Sequence, residues 1–172
     1  MINIKNTFWL LIAILISSKS FSQQESQTDF KDIALNNWYI EMGGAAMFYS
    51  MNYEKFLFKS EYTALVGRFG IGFNPIDYNF LNKVYLDKNT FMAPFTSQFL
   101  FGRGKEKFEV GVGFTLLAKG INDREIVPTG VIGFRVVDTK NILLRICYTP
   151  FIRDNKYIDW WGVSLGRNFN FK

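Results

Sequence analysis

Tyr62-Thr63-Ala64-Leu65-Val66-Gly67-Arg68-Phe69-Gly70-Ile71-Gly72-Phe73 divides cleanly by parity. Leu65, Phe69, Ile71 and Phe73 fall with Gly67 on one set of alternate positions; Ala64, Val66, Arg68, Gly70 and Gly72 fall on the other. Successive side chains of an extended chain point to opposite faces, so the segment has one large greasy face and one that is small or charged. A helix would scatter both sets around its axis. The same division recurs from Phe108 to Leu117, where Phe108, Val110, Val112, Phe114 and Leu116 alternate with Glu109, Gly111, Gly113, Thr115 and Leu117. From Thr129 to Val137, Ile132, Phe134 and Val136 oppose Val131, Gly133 and Arg135; from Ile142 to Phe151, Leu144, Ile146 and Tyr148 oppose Leu143, Arg145, Cys147 and Thr149. Alternation this regular predicts strands.

The connections carry a second pattern. Lys59 to Glu61, Gly102 to Lys107 and Asp138 to Asn141 are short and polar, whereas Asn74 to Asn89, Ala118 to Pro128 and Ile152 to Asp159 are longer. Alternating short turns and long loops is the plan of an up-and-down barrel in an outer membrane. Parity of the strand count requires a tight reversal near Gly43, Gly44 and Ala45, which splits Trp38 to Phe58 into two strands and makes eight. The predicted fold is therefore an all-β, eight-stranded antiparallel transmembrane β-barrel. A soluble lipocalin-like carrier is the competing arrangement, with the greasy face turned inward. The glycines favour the membrane form: Gly70, Gly72, Gly111, Gly113 and Gly133 share the charged face, where a narrow interior needs small residues, and mid-strand glycine on a soluble exterior only weakens a strand.

The start of the chain reads as an export signal. Lys5 precedes an unbroken apolar run from Phe8 to Ile16, and small Ser20 and Ser22 precede Gln23. The run is shorter than the roughly 20 residues a spanning helix needs, so residues 1–22 are expected to be cleaved near Ser22/Gln23. Their loss takes two lysines, Lys5 and Lys19, and lowers the formal net charge from +5 to +3. So mild a balance, with no basic stripe between stacking aromatics, gives no reason to expect a nucleic-acid partner. Residues 23–36 are polar without alternation and read as a periplasmic lead-in; the barrel is expected over 37–172. Aromatic content of 18% beside a mean hydropathy near zero fits alternating strands, since membrane helices would raise the average.

Glu41-Met-Gly-Gly-Ala-Ala-Met-Phe-Tyr-Ser-Met-Asn-Tyr-Glu54 resembles the opening strands of small Bacteroidota-type outer-membrane β-barrel proteins. Gly162-Val-Ser-Leu-Gly-Arg-Asn-Phe-Asn-Phe171 resembles the closing strand of outer-membrane proteins generally, with Val163, Leu165, Phe169 and Phe171 outward. Lys172 after the last Phe and Arg167 at an outward position depart from that pattern. The resemblance implies insertion by the barrel-assembly machinery and contact with outer-membrane lipid. It carries no activity with it.

Candidate chemistry is thin. The chain has no histidine and one cysteine, which removes imidazole-based hydrolytic sites, His-containing zinc sites and thiolate clusters. Gly162-Val163-Ser164-Leu165-Gly166 matches the G-x-S-x-G spacing of a nucleophile elbow, which needs a strand-to-helix turn; this near the end it reads as an inward-facing strand. Gly102-Arg103-Gly104-Lys105 lacks the spacing of a phosphate loop. No catalytic residue, cofactor or metal is expected. A histidine-free lipid-modifying enzyme stays open as an alternative to a structural or loop-binding role. Three groups of residues are singled out. Glu41, Glu54, Arg68, Glu109, Arg135 and Arg145 point inward by parity and are expected to form a closed network, with Arg135 opposite Arg145, Glu109 bridging them and Glu54 reaching across the bore. Tyr78, Phe80 and Tyr85 in the longest loop are candidates for recognising a protein or lipopolysaccharide. Trp160 and Trp161 are expected in an interfacial aromatic girdle.

Overall fold

A computed structural model of the chain describes Phe30 and residues 33–75, 77–80, 84–86, 88–120, 123–137, 141–153 and 155–170. The export signal expected over 1–22, its cleavage point and the outward placement of Phe171 lie outside these residues. Eight long strands form the wall: β1 (Asn36–Gly43), β2 (Tyr49–Lys59), β3 (Thr63–Asn74), β6 (Thr90–Phe101), β7 (Glu106–Ala118), β8 (Arg124–Val137), β9 (Ile142–Tyr148) and β12 (Trp161–Phe169). Each pairs antiparallel with the next, and β12 returns to β1 from Asn36↔Phe169 to Gly43↔Gly162, closing the ring. Four short strands make two hairpins at one end, β4 (Tyr78–Phe80) with β5 (Val84–Leu86), and β10 (Phe151–Arg153) with β11 (Lys156–Ile158). The wall thus has a loop end, and a short-turn end where β1 begins and β12 finishes.

Several boundaries differ from the sequence reading. The loop expected from Ala118 to Pro128 is strand from Arg124 onward, with Pro128 the register partner of Phe114. Proline is tolerated there because β8 reaches past its barrel neighbour: pairing with β9 starts only at Ile132. The strand expected from Ile142 to Phe151 stops at Tyr148; Pro150 interrupts it, and Phe151 pairs instead with Ile158. The loops expected over Asn74–Asn89 and Ile152–Asp159 hold the β4–β5 and β10–β11 hairpins, the second hairpin starting at Phe151. The reversal between β1 and β2 is a short 3-10 turn, Gly44–Ala46, with Gly44 and the flanking Gly43 and Met47 at positive φ.

The wall is apolar outside and polar inside. Phe69, Phe99, Val112, Phe134, Leu144 and Val163 are exposed, while Glu54, Arg68, Glu109, Arg135 and Arg145 on the opposite parity are buried. The outer face carries its own side-chain ladder, with Phe69 and Phe95 rings 5.0 Å apart and Phe95 and Phe114 rings 5.4 Å apart across β3, β6 and β7.

Inside, the filling is layered. At the loop end Ala46, Met47, Met92, Leu117, Val127, Phe151, Ile158 and Trp160 form an apolar cluster, and Thr115 Oγ1 on β7 donates 2.5 Å to Ala45 O, tying the β1–β2 turn across the bore. At the short-turn end Phe56, Ala64, Val66, Leu100, Val137 and Leu143 form a second cluster, completed by Phe30 and Ile33. The segment read as a polar lead-in is therefore, in its described part, a stopper. Phe30 is fully buried beneath Lys107, whose Nζ lies 4.0 Å from its ring centroid, and Lys59 Nζ donates 2.6 Å to Ile33 O. If Phe30 seals this end, Phe30→Ala is expected to lower stability by about 3–5 kcal/mol. Leu35→Ala, at a half-exposed neighbour, should stay within about 0.5 kcal/mol. Urea titration of the folded barrel in detergent, read by the mobility of unheated samples on gels, checks both.

Candidate functional site

Between the two apolar layers lie the six inward charges, and the strands that carry them explain their order. Each occupies an inward position on a different wall strand: Glu41 on β1, Glu54 on β2, Arg68 on β3, Glu109 on β7, Arg135 on β8 and Arg145 on β9. The structure joins them into one alternating chain. Arg68 pairs with Glu41; Arg145 Nη1 reaches Glu41 Oε1 at 2.5 Å; Arg145 Nε reaches Glu109 Oε1 at 2.6 Å; Glu109 also pairs with Arg135, whose Nε donates 2.7 Å to Oε2; and Arg135 Nη1 spans the bore to Glu54 Oε1 at 2.6 Å. Arg135 Nη2 adds a 3.0 Å bond to Glu54 Oε2, so this pair is bidentate.

The register requires such bridging. Arg135 is the direct partner of Arg145 on β9, and like charges side by side on one face repel. Glu109 takes a hydrogen bond from each, so the repulsion is replaced by two attractions. Gly133, the β8 partner of Glu109, makes room for this: a Cβ there would lie 2.6 Å from Glu109 Oε1 and 2.9 Å from Cys147 Cβ. Gly44, held at φ +66°, stands over the Glu41 carboxylate, where a Cβ would lie only 2.5 Å from Oε1.

Neutral side chains complete the layer. Asn52 Oδ1 accepts from Arg68 Nε at 3.0 Å, Gln98 Oε1 accepts from Arg135 at 3.2 Å, and Asn37 Nδ2 donates 2.6 Å to Glu54 Oε1. Tyr39, fully buried, offers its ring to Arg68 and Arg145, whose Cζ atoms lie 5.4 and 5.7 Å from its centroid. The sequence reading did not single out these residues. Asn52 and Gln98 share the inward parity of Glu54 and Leu100 and were legible on that ground; Tyr39 was not, because a tyrosine suits either face of a membrane strand.

Ser164 lies mid-strand in β12, nearly fully buried, and donates 3.3 Å to Glu41 Oε1. With no turn at that point it is a link in the layer rather than the tip of an elbow. The other candidates are dispersed. Tyr78 and Phe80 lie on β4 and Tyr85 on β5 at the loop end, Tyr85 being the register partner of Asn79. Trp160 and Trp161 separate: Trp161 is exposed on the outer wall, but Trp160 is buried in the loop-end cluster with its ring 6.2 Å from that of Phe151. Trp160 is thus no girdle residue, because adjacent residues of an extended chain face opposite ways. Among the described residues no group of three or more His, Cys, Asp or Glu side chains is arranged to hold a metal ion.

A largely apolar exterior around a closed ring of eight strands, with a paired network of charges filling the bore, defines an outer-membrane type of β-barrel. The fold is similar to that of the outer membrane protein Ail of Yersinia pestis, known from its backbone structure in a phospholipid bilayer nanodisc. The match has a TM-score of 0.52 at 10% identity and covers 79% of this chain and 99% of that one. No family model and no curated protein sequence matches the chain.

The geometry of the layer makes Glu109 its most connected acid on the β7–β9 side. Glu109→Ala is expected to cost about 3–5 kcal/mol by leaving buried arginine without its partner. In a double-mutant cycle with Arg135→Ala, measured by urea unfolding, the double variant should recover part of that loss. Strict additivity would mean that the two side chains do not interact.

Proposed function

We propose that the protein is an integral outer-membrane barrel that neither conducts solutes nor catalyses a reaction, and that serves as a rigid anchor presenting its loop end to a partner. The observation that carries this reading is the three-layer filling of the bore: an ion-paired sheet of charge between two apolar clusters. A pore needs a continuous wet path, and eight strands enclose little more than their own side chains. A lipocalin-like carrier would turn its greasy face inward around a ligand, the opposite of the exposure seen on each wall strand. The fold shared with Ail, and the resemblance of Glu41–Glu54 and Gly162–Phe171 to Bacteroidota-type barrels, support the membrane placement.

Against catalysis stands the saturation of the acids. Glu41, Glu54 and Glu109 each accept from at least two donors inside the bore and are fully buried, so none is placed to exchange a proton with a substrate. The anchor's variable part is its loop end, where the β4–β5 hairpin carries Tyr78, Phe80 and Tyr85. Aromatic residues on a loop held by a rigid wall suit recognition of a protein or of lipopolysaccharide.

Four tests bear on the reading. The mature chain should resist carbonate extraction and migrate differently on gels with and without heating; extraction without detergent would overturn the membrane assignment. In planar bilayers the folded barrel should give no stepwise conductance, and regular channel openings would contradict the filled bore. Phe134→Arg, on the outward face, is expected to cost about 2–4 kcal/mol where that residue sits near the bilayer midplane, whereas Ser164→Ala should leave any lipid-releasing activity of a preparation unchanged.

A further inference from the structure

Between the strand ends the outward face of the wall carries charged side chains on one flank, among the described residues. Lys55, four residues before the end of β2, and Arg167, two before the end of β12, both point outward and are exposed. They belong to a patch two rows deep and three strands wide. Tyr53, Trp38 and Arg167 are successive register partners across β2, β1 and β12, and Lys55, Asn36 and Phe169 form the adjoining row. Residues two apart on a strand share a face, so all six belong to the outer surface. The centre of the patch is built: Tyr53 Oη donates 2.6 Å to Asn36 Oδ1, Asn36 Nδ2 donates 3.4 Å to Phe169 O, and the Tyr53 and Phe169 rings lie 6.4 Å apart over the buried asparagine. Trp38 stands beside it, 40% exposed.

Neither cation has a counter-ion among the described residues. The acids nearest in sequence on β1 and β2, Glu41 and Glu54, face the bore. A bare cation on a lipid-facing wall is costly unless its apolar stem carries the charge to the headgroup plane. Two strand spacings of ~4.8 Å and one two-residue step of ~6.6 Å separate the Cα atoms by roughly 12 Å, within the joint reach of two extended side chains. A guanidinium fork beside an ammonium suits a tetrahedral phosphate, and flanking Trp and Tyr rings suit the boundary between acyl chains and headgroups.

We infer that Lys55 and Arg167, with Trp38 and Tyr53 beside them, hold the phosphodiester of an anionic phospholipid against the β2–β1–β12 flank, in the leaflet at the short-turn end. The site rests on the membrane placement proposed above. Its test uses the mature chain reconstituted in phosphocholine bilayers with trace spin-labelled phosphatidylglycerol or spin-labelled phosphatidylcholine, reading the motionally restricted fraction of each probe. The native barrel should hold phosphatidylglycerol about fivefold or more over phosphatidylcholine. The double variant Lys55→Leu/Arg167→Leu should hold them about equally, while Lys55→Arg/Arg167→Lys should keep the preference. An unchanged preference in the leucine variant, or none in the native barrel, would overturn the site. Loss of the native preference on adding inorganic phosphate at matched ionic strength would make it a site for free anions and overturn the lipid assignment. A native chain that enters no bilayer, judged by unheated gel mobility, would overturn the membrane placement and this site with it.

Discussion

An arginine in the bore of an eight-stranded barrel can reach neither water nor lipid headgroups without leaving the wall that holds it. Three such residues, Arg68, Arg135 and Arg145, face the interior here, and the charge of each is countered by carboxylates arriving from other strands. The resulting chain of alternating charge touches six of the eight wall strands. Buried ion pairs add little net stability, because removing the charges from water costs nearly what their attraction returns. Removing one member is another matter, since it strands a charge. A slip of one residue between any two of these strands would turn a charge outward and orphan its partner. The chain therefore acts as a register lock, penalising wrong pairings more than it rewards the right one.

The apolar layers above and below give the lock its strength. Phe30, Ile33 and Leu100 on one side and Met47, Met92 and Trp160 on the other keep solvent from the charges, and a dry setting strengthens both the attraction of correct pairs and the penalty for broken ones. The same packing fills both ends of the bore. Wall strands also differ in length: β3, β6, β7 and β8 run 12 to 14 residues, β9 and β1 only 7 and 8. The long strands carry the wall out to the β4–β5 hairpin, and β10 extends it beside β8, where Arg153 pairs with Glu125 at 2.9 Å. A rigid base with a raised, asymmetric rim suits presentation of a loop surface.

Much of this was legible in the sequence wherever parity persisted. The strands around Phe69, Val112 and Phe134 declare their two faces, and the charges on the inner face follow from the same count. Legibility failed where alternation is interrupted. Phe30 and the run Ile33-Ala34-Leu35 stand in a polar stretch, too few to show a period, so the burial of Phe30 and Ile33 depends on a mouth that only the closed barrel creates. Trp160 follows a loop that resets the phase, and nothing local tells which of two adjacent tryptophans turns inward. Pro128 reads as a strand terminator, yet β8 passes through it because its ladder with β9 begins only at Ile132. The partners of the charges were only partly legible: adjacency on β7, β8 and β9 follows from turn lengths, but the link from Glu41 to Arg68 and Arg145 depends on curvature around the bore.

The claim on which the account turns is that Arg68, Arg135 and Arg145 are paired and dry inside the barrel. Hydrogen exchange of the arginine Nε–H groups, followed by nitrogen-15 NMR of the folded protein in lipid bilayers, measures it directly. Arg68, Arg135 and Arg145 should give three protected, shifted signals that persist long after those of exposed Arg103, Arg124 and Arg167 have exchanged. Uniformly fast exchange at all arginines in a barrel shown to be folded would mean that water reaches the bore, and the locked, filled interior would be contradicted.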